Sequence, residues 1–169
     1  EKNISHRIMR ITWNPEGTRV TPADYHGKAH TFDVQSGKQV LELPGTLATY
    51  TPDGKQIVSV ENNTIVVSDS SSGKKLGTMQ GHLDPIGDVI VTPDGKRAIA
   101  IDAGGIIKVW DLVTTQELLT IRVRSSYHGT NVNSITGRLI MDPTSKKLAL
   151  LQFDGNAKLW FSRVVEDVP

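Results

Sequence analysis

Short apolar stretches separated by polar turns recur along the whole chain. Segments such as 57–60, 98–101 and 106–109 are apolar at most positions. Strands buried on both faces have this composition, whereas an amphipathic helix would show a repeat of about 3.6 residues. A helical repeat of that kind is essentially absent. The pattern therefore predicts an all-β chain of short strands.

One turn motif recurs between the predicted strands. It has Asn or Thr, then Pro, an acidic residue and Gly, at 14–17, 51–54 and 92–95, with a degenerate copy at 142–145. Pro presets φ at the first turn position and Gly accepts a positive φ, so each copy predicts a tight connection between two strands. A second turn follows about ten residues later in each repeat, with the Gly and Asn residues of two-residue hairpins. These turns lie at 25–28, 61–64, 103–106 and 153–156.

Each second turn is followed by a strand that ends in a matched pair of residues. The pairs are Phe32-Asp33, Ser68-Asp69, Trp110-Asp111 and Trp160-Phe161. A polar loop and a fourth strand follow in the first three repeats. Four strands at a period of about 40 residues are typical of a β-propeller blade, whose sheet hides both faces against its neighbours. We predict four blades at roughly 4–43, 46–80, 81–122 and 132–169.

The third repeat resembles a WD40 repeat. Gly81-His82 opens it, the motif at 92–96 lies in its middle, and Val109-Trp110-Asp111 stands near its end. The resemblance extends over the whole chain as about four repeats and is looser outside the third. In this family the His, a Ser or Thr, an Asp and the Trp often form a hydrogen-bonded tetrad inside the blade.

The resemblance implies roles for several residues. It makes His82, Trp110, Asp111 and Trp160 structural. It also places Ala100 and Gly104 at the Ser/Thr and Asp positions of the tetrad, so the tetrad is expected to be incomplete and the blade to depend on packing.

Four blades raise a question about ring closure, because WD40 rings usually have seven or eight. Three arrangements stay open: two copies joined into an eight-bladed ring, a fragment of a longer ring of seven or eight blades, and a compact four-bladed ring. In an open array, each end blade would expose an apolar face. The fourth blade also lacks an obvious outer strand, for which segments 164–168 and 2–5 are candidates.

Composition narrows the range of functions. The chain has 19 basic and 18 acidic residues, a net charge of +1 that argues against a nucleic-acid or anionic-membrane binder. Cysteine is absent, which excludes disulfides and thiolate chemistry but does not decide the compartment; we expect a cytoplasmic protein. The longest apolar runs fall far short of the roughly 18 residues of a membrane span. Because the sequence begins at Glu1 without an initiator Met, we expect an excised domain or a processed product.

Motifs of known catalytic sites are missing. The sequence has no Gly-x-Ser-x-Gly, no His-Glu-x-x-His and no Gly-rich phosphate loop. Asp24, His26 and His30 cluster around one turn and could be drawn as metal ligands, but solvated turn residues are the plainer interpretation. We predict no catalytic residue, no metal and no cofactor. A lactonase-like propeller hydrolase stays as an alternative, although the inner strands at 47–50 and 89–91 offer almost no carboxylate.

The longest irregular segment, at 122–134, separates the third and fourth repeats. Insertions in repeat folds map to loops on one face, which is often the binding face. This one contains Arg124, Tyr127 and His128, side chains that interfaces favour. Tyr25, Asn62 and Asn63, on second turns, are weaker candidates. We predict a non-catalytic scaffold that binds a protein or peptide, with a self-assembling homodimer as a structural alternative.

Overall fold

The computed structural model describes residues 7–123, 137–152 and 157–161. Within these ranges the regular structure consists of β-strands, as the sequence predicted. The described parts contain no helix with the length and hydropathy of a membrane span.

The strands form four antiparallel sheets in chain order. The first contains β1 (Ile8–Trp13), β2 (Arg19–Asp24), β3 (Lys28–Asp33) and β4 (Gln39–Pro44). The second contains β5 (Leu47–Tyr50), β6 (Gln56–Glu61), β7 (Thr64–Asp69) and β8 (Lys75–Met79). The third contains β9 (Ile86–Val91), β10 (Arg97–Asp102), β11 (Ile106–Asp111) and β12 (Glu117–Arg122). The fourth contains β13 (Arg138–Met141), β14 (Lys147–Leu151) and β15 (Ala157–Phe161).

Each sheet is a propeller blade whose strands follow one another from the inside outwards. The predicted outer strand of the fourth blade, at 164–168 or 2–5, lies outside the described residues. The inner strands β1, β5, β9 and β13 pack in chain order, each against the next. The predicted all-β propeller fold is therefore confirmed.

The Pro-containing motifs form the turns between the first two strands of the blades. In the second blade the Thr51 hydroxyl donates to Asp53 at 2.6 Å and accepts from the Gln56 amide at 3.0 Å. Gly54 has φ 70°, which explains why glycine is favoured at this place. Thr92 and Arg97 repeat the amide bond in the third blade at 3.0 Å.

An aspartate holds the loop after the third strand in three blades. Asp111 accepts hydrogen bonds from the amides of Val113 at 2.9 Å and Thr114 at 2.7 Å. Asp33 and Asp69 make equivalent bonds to loop serines. Backbone and hydroxyl donors thereby hold the pKa of all three carboxyls below the usual value. Phe161 occupies the corresponding register position in the fourth blade.

Apolar side chains fill the three junctions between consecutive blades. The first junction is built from small residues such as Ala23 and Ala48 with Tyr50. The second and third are larger and contain mainly β-branched residues and leucines. Stability therefore comes mainly from the stacking of blades, as expected for a repeat fold.

The two end blades each turn one apolar face away from their neighbour. Ile11 and Trp13 are exposed on the first blade, and Ile140 and Leu159 on the fourth. A compact four-bladed ring would bury these side chains against each other. Among the described residues β1 packs on β5 and β13 packs on β9, and these residues show no extensive packing between β1 and β13.

Candidate functional site

The turns between second and third strands and the connections between blades lie along one edge of the array, called here the connection edge. Hydrogen bonds tie the described turns, those of the first three blades, to the connections beside them. They run from the Gly45 amide to the Gly27 carbonyl (2.7 Å), from Asn63 Nδ2 to the His82 carbonyl (3.1 Å), from the Ala103 amide to the Pro85 carbonyl (2.9 Å) and from the Val123 amide to the Gly105 carbonyl (2.8 Å). The connection edge is thus held in place by its own backbone.

The predicted partner-binding residues have different places on this edge. Tyr25 is 63% exposed and its ring stands edge-on to His26, with 6.3 Å between centroids. Asn62 has φ 56° and accepts the Ile86 amide through its carbonyl, while Asn63 donates to His82. Both asparagines therefore support the neighbouring connection.

Arg124, Tyr127 and His128 lie outside the described residues. The segment that contains them begins after Val123, whose amide binds the connection edge, and ends before Gly137.

Sequence reasoning missed Leu83, which is 93% exposed in the connection between the second and third blades. It stands between the buried His82 and the exposed Asp84. A single leucine among polar residues in an inter-blade connection was the available signal.

A buried His–Asp pair lies beneath this edge in the third blade. His82 Nδ1 is 2.7 Å from Asp102 Oδ2, and the His82 ring lies 5.2 Å from that of Trp110. The other oxygen of Asp102 accepts the Ile106 amide at 2.8 Å. The placement of Gly104 at the tetrad's Asp position was therefore wrong. The acid is the last residue of β10, because the turn begins there rather than two residues later.

The tetrad is nevertheless incomplete at Ala100. His82 Nε2 is buried and has no hydrogen-bond partner among the described residues. Burial lowers the pKa of His82 and the bond to Asp102 opposes this, so the imidazole is neutral at physiological pH. A neutral ring that donates from Nδ1 to Asp102 leaves Nε2 as an unused acceptor.

Replacing Ala100 by Ser is expected to supply the missing donor. Resemblance to the WD40 tetrad places a hydroxyl there within reach of His82, and one net hydrogen bond is worth about 1 kcal/mol. We expect the free energy of unfolding in denaturant to rise by about that amount. Ala98→Ser is the matched control, since Ala98 is equally buried on the same face of β10 and would bury an unpaired hydroxyl. Equal losses of unfolding free energy in Ala100→Ser and Ala98→Ser would show that a hydroxyl at position 100 does not reach an acceptor on His82.

A second charged cluster lies on the inner strands. Asp88 is fully buried and its Oδ1 is 2.9 Å from Arg10 Nη1 and 3.7 Å from Arg138 Nη1. Its Oδ2 accepts the Leu139 amide at 2.8 Å, and Arg10 also donates to the Val89 carbonyl at 2.8 Å. The cluster therefore links the first, third and fourth blades.

Asp88 lies just before the segment 89–91, the only part of the third inner strand that was searched for carboxylates in the sequence. Arg10, Asp88 and Arg138 occupy equivalent register positions, opposite Ala23, Ile101 and Leu151 respectively. Charges at one position of several inner strands were the signal that could have revealed it. Since both oxygens of Asp88 are occupied by structural donors, the cluster resembles a clamp rather than an acid–base site.

The Asp24 group is only partly brought together. His30 Nε2 lies 3.5 Å from Asp24 Oδ2, while its Nδ1 lies 3.7 Å from Glu42. His26 instead stands against Tyr25. Within the described ranges no three His, Asp or Glu side chains are arranged to hold a metal ion.

The residues that the resemblance made structural lie inside or at the ends of blades. His82 and Trp110 are buried, and Asp111 holds the loop after β11. Trp160 is half-buried and packs in the junction between the third and fourth blades.

Small antiparallel sheets stacked as successive blades define a β-propeller. Residues 73–111 match the family model described as WD domain, G-beta repeat. Residues 73–111 therefore match a WD40 repeat, and the chain as a whole has the fold of a β-propeller with four blades.

Known proteins with similar sequences or folds are much longer than this chain. Polyadenylation factor subunit 2 of Candida albicans is 21% identical over 123 residues, which cover 70% of this chain and 23% of that protein. Intraflagellar transport protein 122 homolog of Mus musculus is 34% identical over 61 residues, or 36% of this chain and 5% of that protein. The crystal structure of RRP9 WD40 repeats superposes with a TM-score of 0.78 at 15% identity, covering 94% of this chain and 49% of that one.

Proposed function

We propose that the chain is a non-catalytic interaction module that binds a protein or peptide through its connection edge. The observation that carries this proposal is the exposure of Tyr25 and Leu83 on an edge whose backbone is fixed by hydrogen bonds. Rigid presentation favours binding because little conformational entropy is lost when a partner docks. Exposed aromatic and apolar side chains are typical anchors of such interfaces.

The relatives support a scaffold role over an enzymatic one. WD40 propellers generally act as scaffolds, and the matched proteins are a polyadenylation factor subunit and an intraflagellar transport protein homolog. Asp88, the buried carboxylate of the inner strand β9, is taken up by Arg10 and by backbone amides. The hydrolase alternative has no observation in its favour.

The proposal includes an eight-bladed ring formed by two copies. The connection edges of eight blades would then form one continuous surface.

Replacing Arg124 and Tyr127 together by Ala is expected to weaken partner capture by about 30-fold, the effect of losing one hot spot of about 2 kcal/mol. The double variant Tyr25→Ala, Leu83→Ser should weaken partner capture to a similar extent. Both residues belong to the described part of the connection edge. Capture is measured by immobilising the chain and quantifying specifically bound proteins by mass spectrometry.

The matched control is Lys74→Ala with Val113→Ala, two changes in the loops at the opposite edge of the blades. All three variants should keep the melting temperature of the unaltered chain. Capture that persists in both edge variants, or disappears in the control, would refute the assignment of the binding edge.

A further inference from the structure

The connection between the second and third blades, residues 80–85, holds Leu83 in water on a fixed backbone. Leu83 is 93% exposed, although the residues on both sides of it are tied down. The carbonyl of the buried His82 accepts Asn63 Nδ2 at 3.1 Å, and the Pro85 carbonyl accepts an amide of the next turn at 2.9 Å. The leucine is therefore presented to the outside, since the backbone that carries it does not fold back onto the blade.

Asp84, the next residue, places a carboxylate beside this leucine. Its Oδ2 lies over Gly104, where an added Cβ atom would collide with it. Gly104 does not have a positive φ, whereas its neighbour Gly105 has φ 78°. A side chain at position 104 is therefore excluded by the Asp84 carboxylate and not by the backbone conformation.

The Asp84 carboxylate is open to a ligand. It makes no hydrogen bond or ion pair with another residue of the described ranges. The turn beneath it consists of Ala103, Gly104 and Gly105, none of which carries an atom beyond Cβ. Leu83 and Asp84 are both exposed, so one long side chain of a partner can contact the two of them at once.

The charge around this connection is negative. Glu61 is exposed at the end of β6, in the turn whose Asn62 carbonyl accepts the Ile86 amide at 2.9 Å. Lys108 lies beside Gly81, but its ammonium group is paired with Glu117 at 2.7 Å. A basic ligand therefore meets an uncompensated carboxylate here, whereas an acidic ligand is repelled.

We propose that Leu83 and Asp84 together bind an arginine side chain of the protein or peptide partner. The apolar stem of the arginine packs on Leu83, and its guanidinium donates two hydrogen bonds to the Asp84 carboxylate above Gly104. Arginine fits better than lysine because its planar group of donors matches both oxygens of a carboxylate. Charge complementarity thus defines the occupant of this part of the connection edge.

This inference deepens the proposed interaction function and rests on it. It gives Leu83 and Asp84 separate roles, since the leucine supplies apolar contact and the aspartate selects a basic group. The position lies between the second and third blades, where both neighbouring sheets are described.

Selection from a displayed library of random 12-residue peptides on the immobilised chain tests the inference. Enriched peptides are expected to contain arginine at one recurring position. In a synthetic copy of such a peptide, arginine is then replaced by citrulline, which keeps the shape of the side chain and removes its charge. This replacement should weaken binding to the unaltered chain by about 10-fold, the effect of a charge-assisted hydrogen bond.

Three variants assign the effect to the two residues. In Asp84→Asn, citrulline should weaken binding by less than about 2-fold, because the charge that it would miss is already gone. In Leu83→Ser, both peptides should bind more weakly while their ratio stays at about 10-fold, because both have the same stem. Glu16→Gln is the matched control, since it removes one negative charge from an exposed turn at the opposite edge and should keep both affinities.

Two results would overturn the inference. They are selection without enrichment of arginine, and an effect of citrulline that is as large in Asp84→Asn as in the unaltered chain. Peptides that lack arginine, yet lose binding in the double variant Tyr25→Ala, Leu83→Ser, would overturn the arginine site and still support the proposed binding edge. Peptide binding that this double variant leaves unchanged would count against both.

Discussion

Replacement of Asp88 by Ala is expected to lower the free energy of unfolding by about 3 kcal/mol. The change removes the carboxylate that pairs with Arg10 at 2.9 Å and accepts the Leu139 amide at 2.8 Å. Breaking a buried ion pair from one side is costly because the other charge loses its partner. Arg138 is more exposed and more distant, so it adds little. Denaturation in urea measures the loss.

Two comparisons distinguish the interaction of Asp88 with Arg10 from the general effect of removing a negative charge. Asp84→Ala removes the same charge from an exposed connection and should change stability by less than about 0.5 kcal/mol. In a double-mutant cycle, Arg10→Met should cost clearly less when Asp88 is already Ala than in the unaltered chain. Strictly additive losses would mean that the two side chains do not stabilise the blades through each other.

The fold could be predicted from the sequence because the patterns that indicate it, in turns and in strands, are local. A Pro and a Gly at fixed places in each turn determine the strand connections, and continuous apolar runs such as 57–60 identify strands buried on both faces. Neither signal depends on knowing which residues meet across the blades.

The candidate site was harder to predict from the sequence, because its residues are brought together by the register of the paired strands. Asp102 and Gly104 are two positions apart, and only the strand pairing shows that the turn begins at the aspartate. Asp88, Arg10 and Arg138 are far apart in sequence and meet because they occupy the same level of the inner strands. Leu83 is a single leucine whose exposure depends on the placement of an inter-blade connection.

The exposed faces of the first and fourth blades were predictable from the sequence in one respect and not in another. That an unclosed array exposes apolar end faces follows from four repeats alone. Which residues form those faces follows from the register, since Trp13 and Leu159 alternate with residues that pack inwards.

Replacement of Trp110 by Ala is expected to cost about 4 kcal/mol of folding free energy. The indole is 1% exposed and fills the junction between the second and third blades together with Val58 and Leu47. Its strand partner Ala98 is too small to fill the space that truncation leaves. The ring of His82, 5.2 Å away, also loses its aromatic neighbour.

Matched aromatic variants show whether this cost belongs to the junction. Trp110→Phe should lose about half as much, because the first blade has Phe32 at the equivalent position and keeps the same register. Tyr25→Ala removes an aromatic side chain from the exposed connection edge and should leave the denaturation midpoint nearly unchanged. Unfolding is followed in guanidinium at low, fixed protein concentration, where assembly does not contribute. A loss below about 1 kcal/mol for Trp110→Ala would mean that blade stacking does not depend on this side chain, and that the aliphatic residues around it hold the second and third blades together.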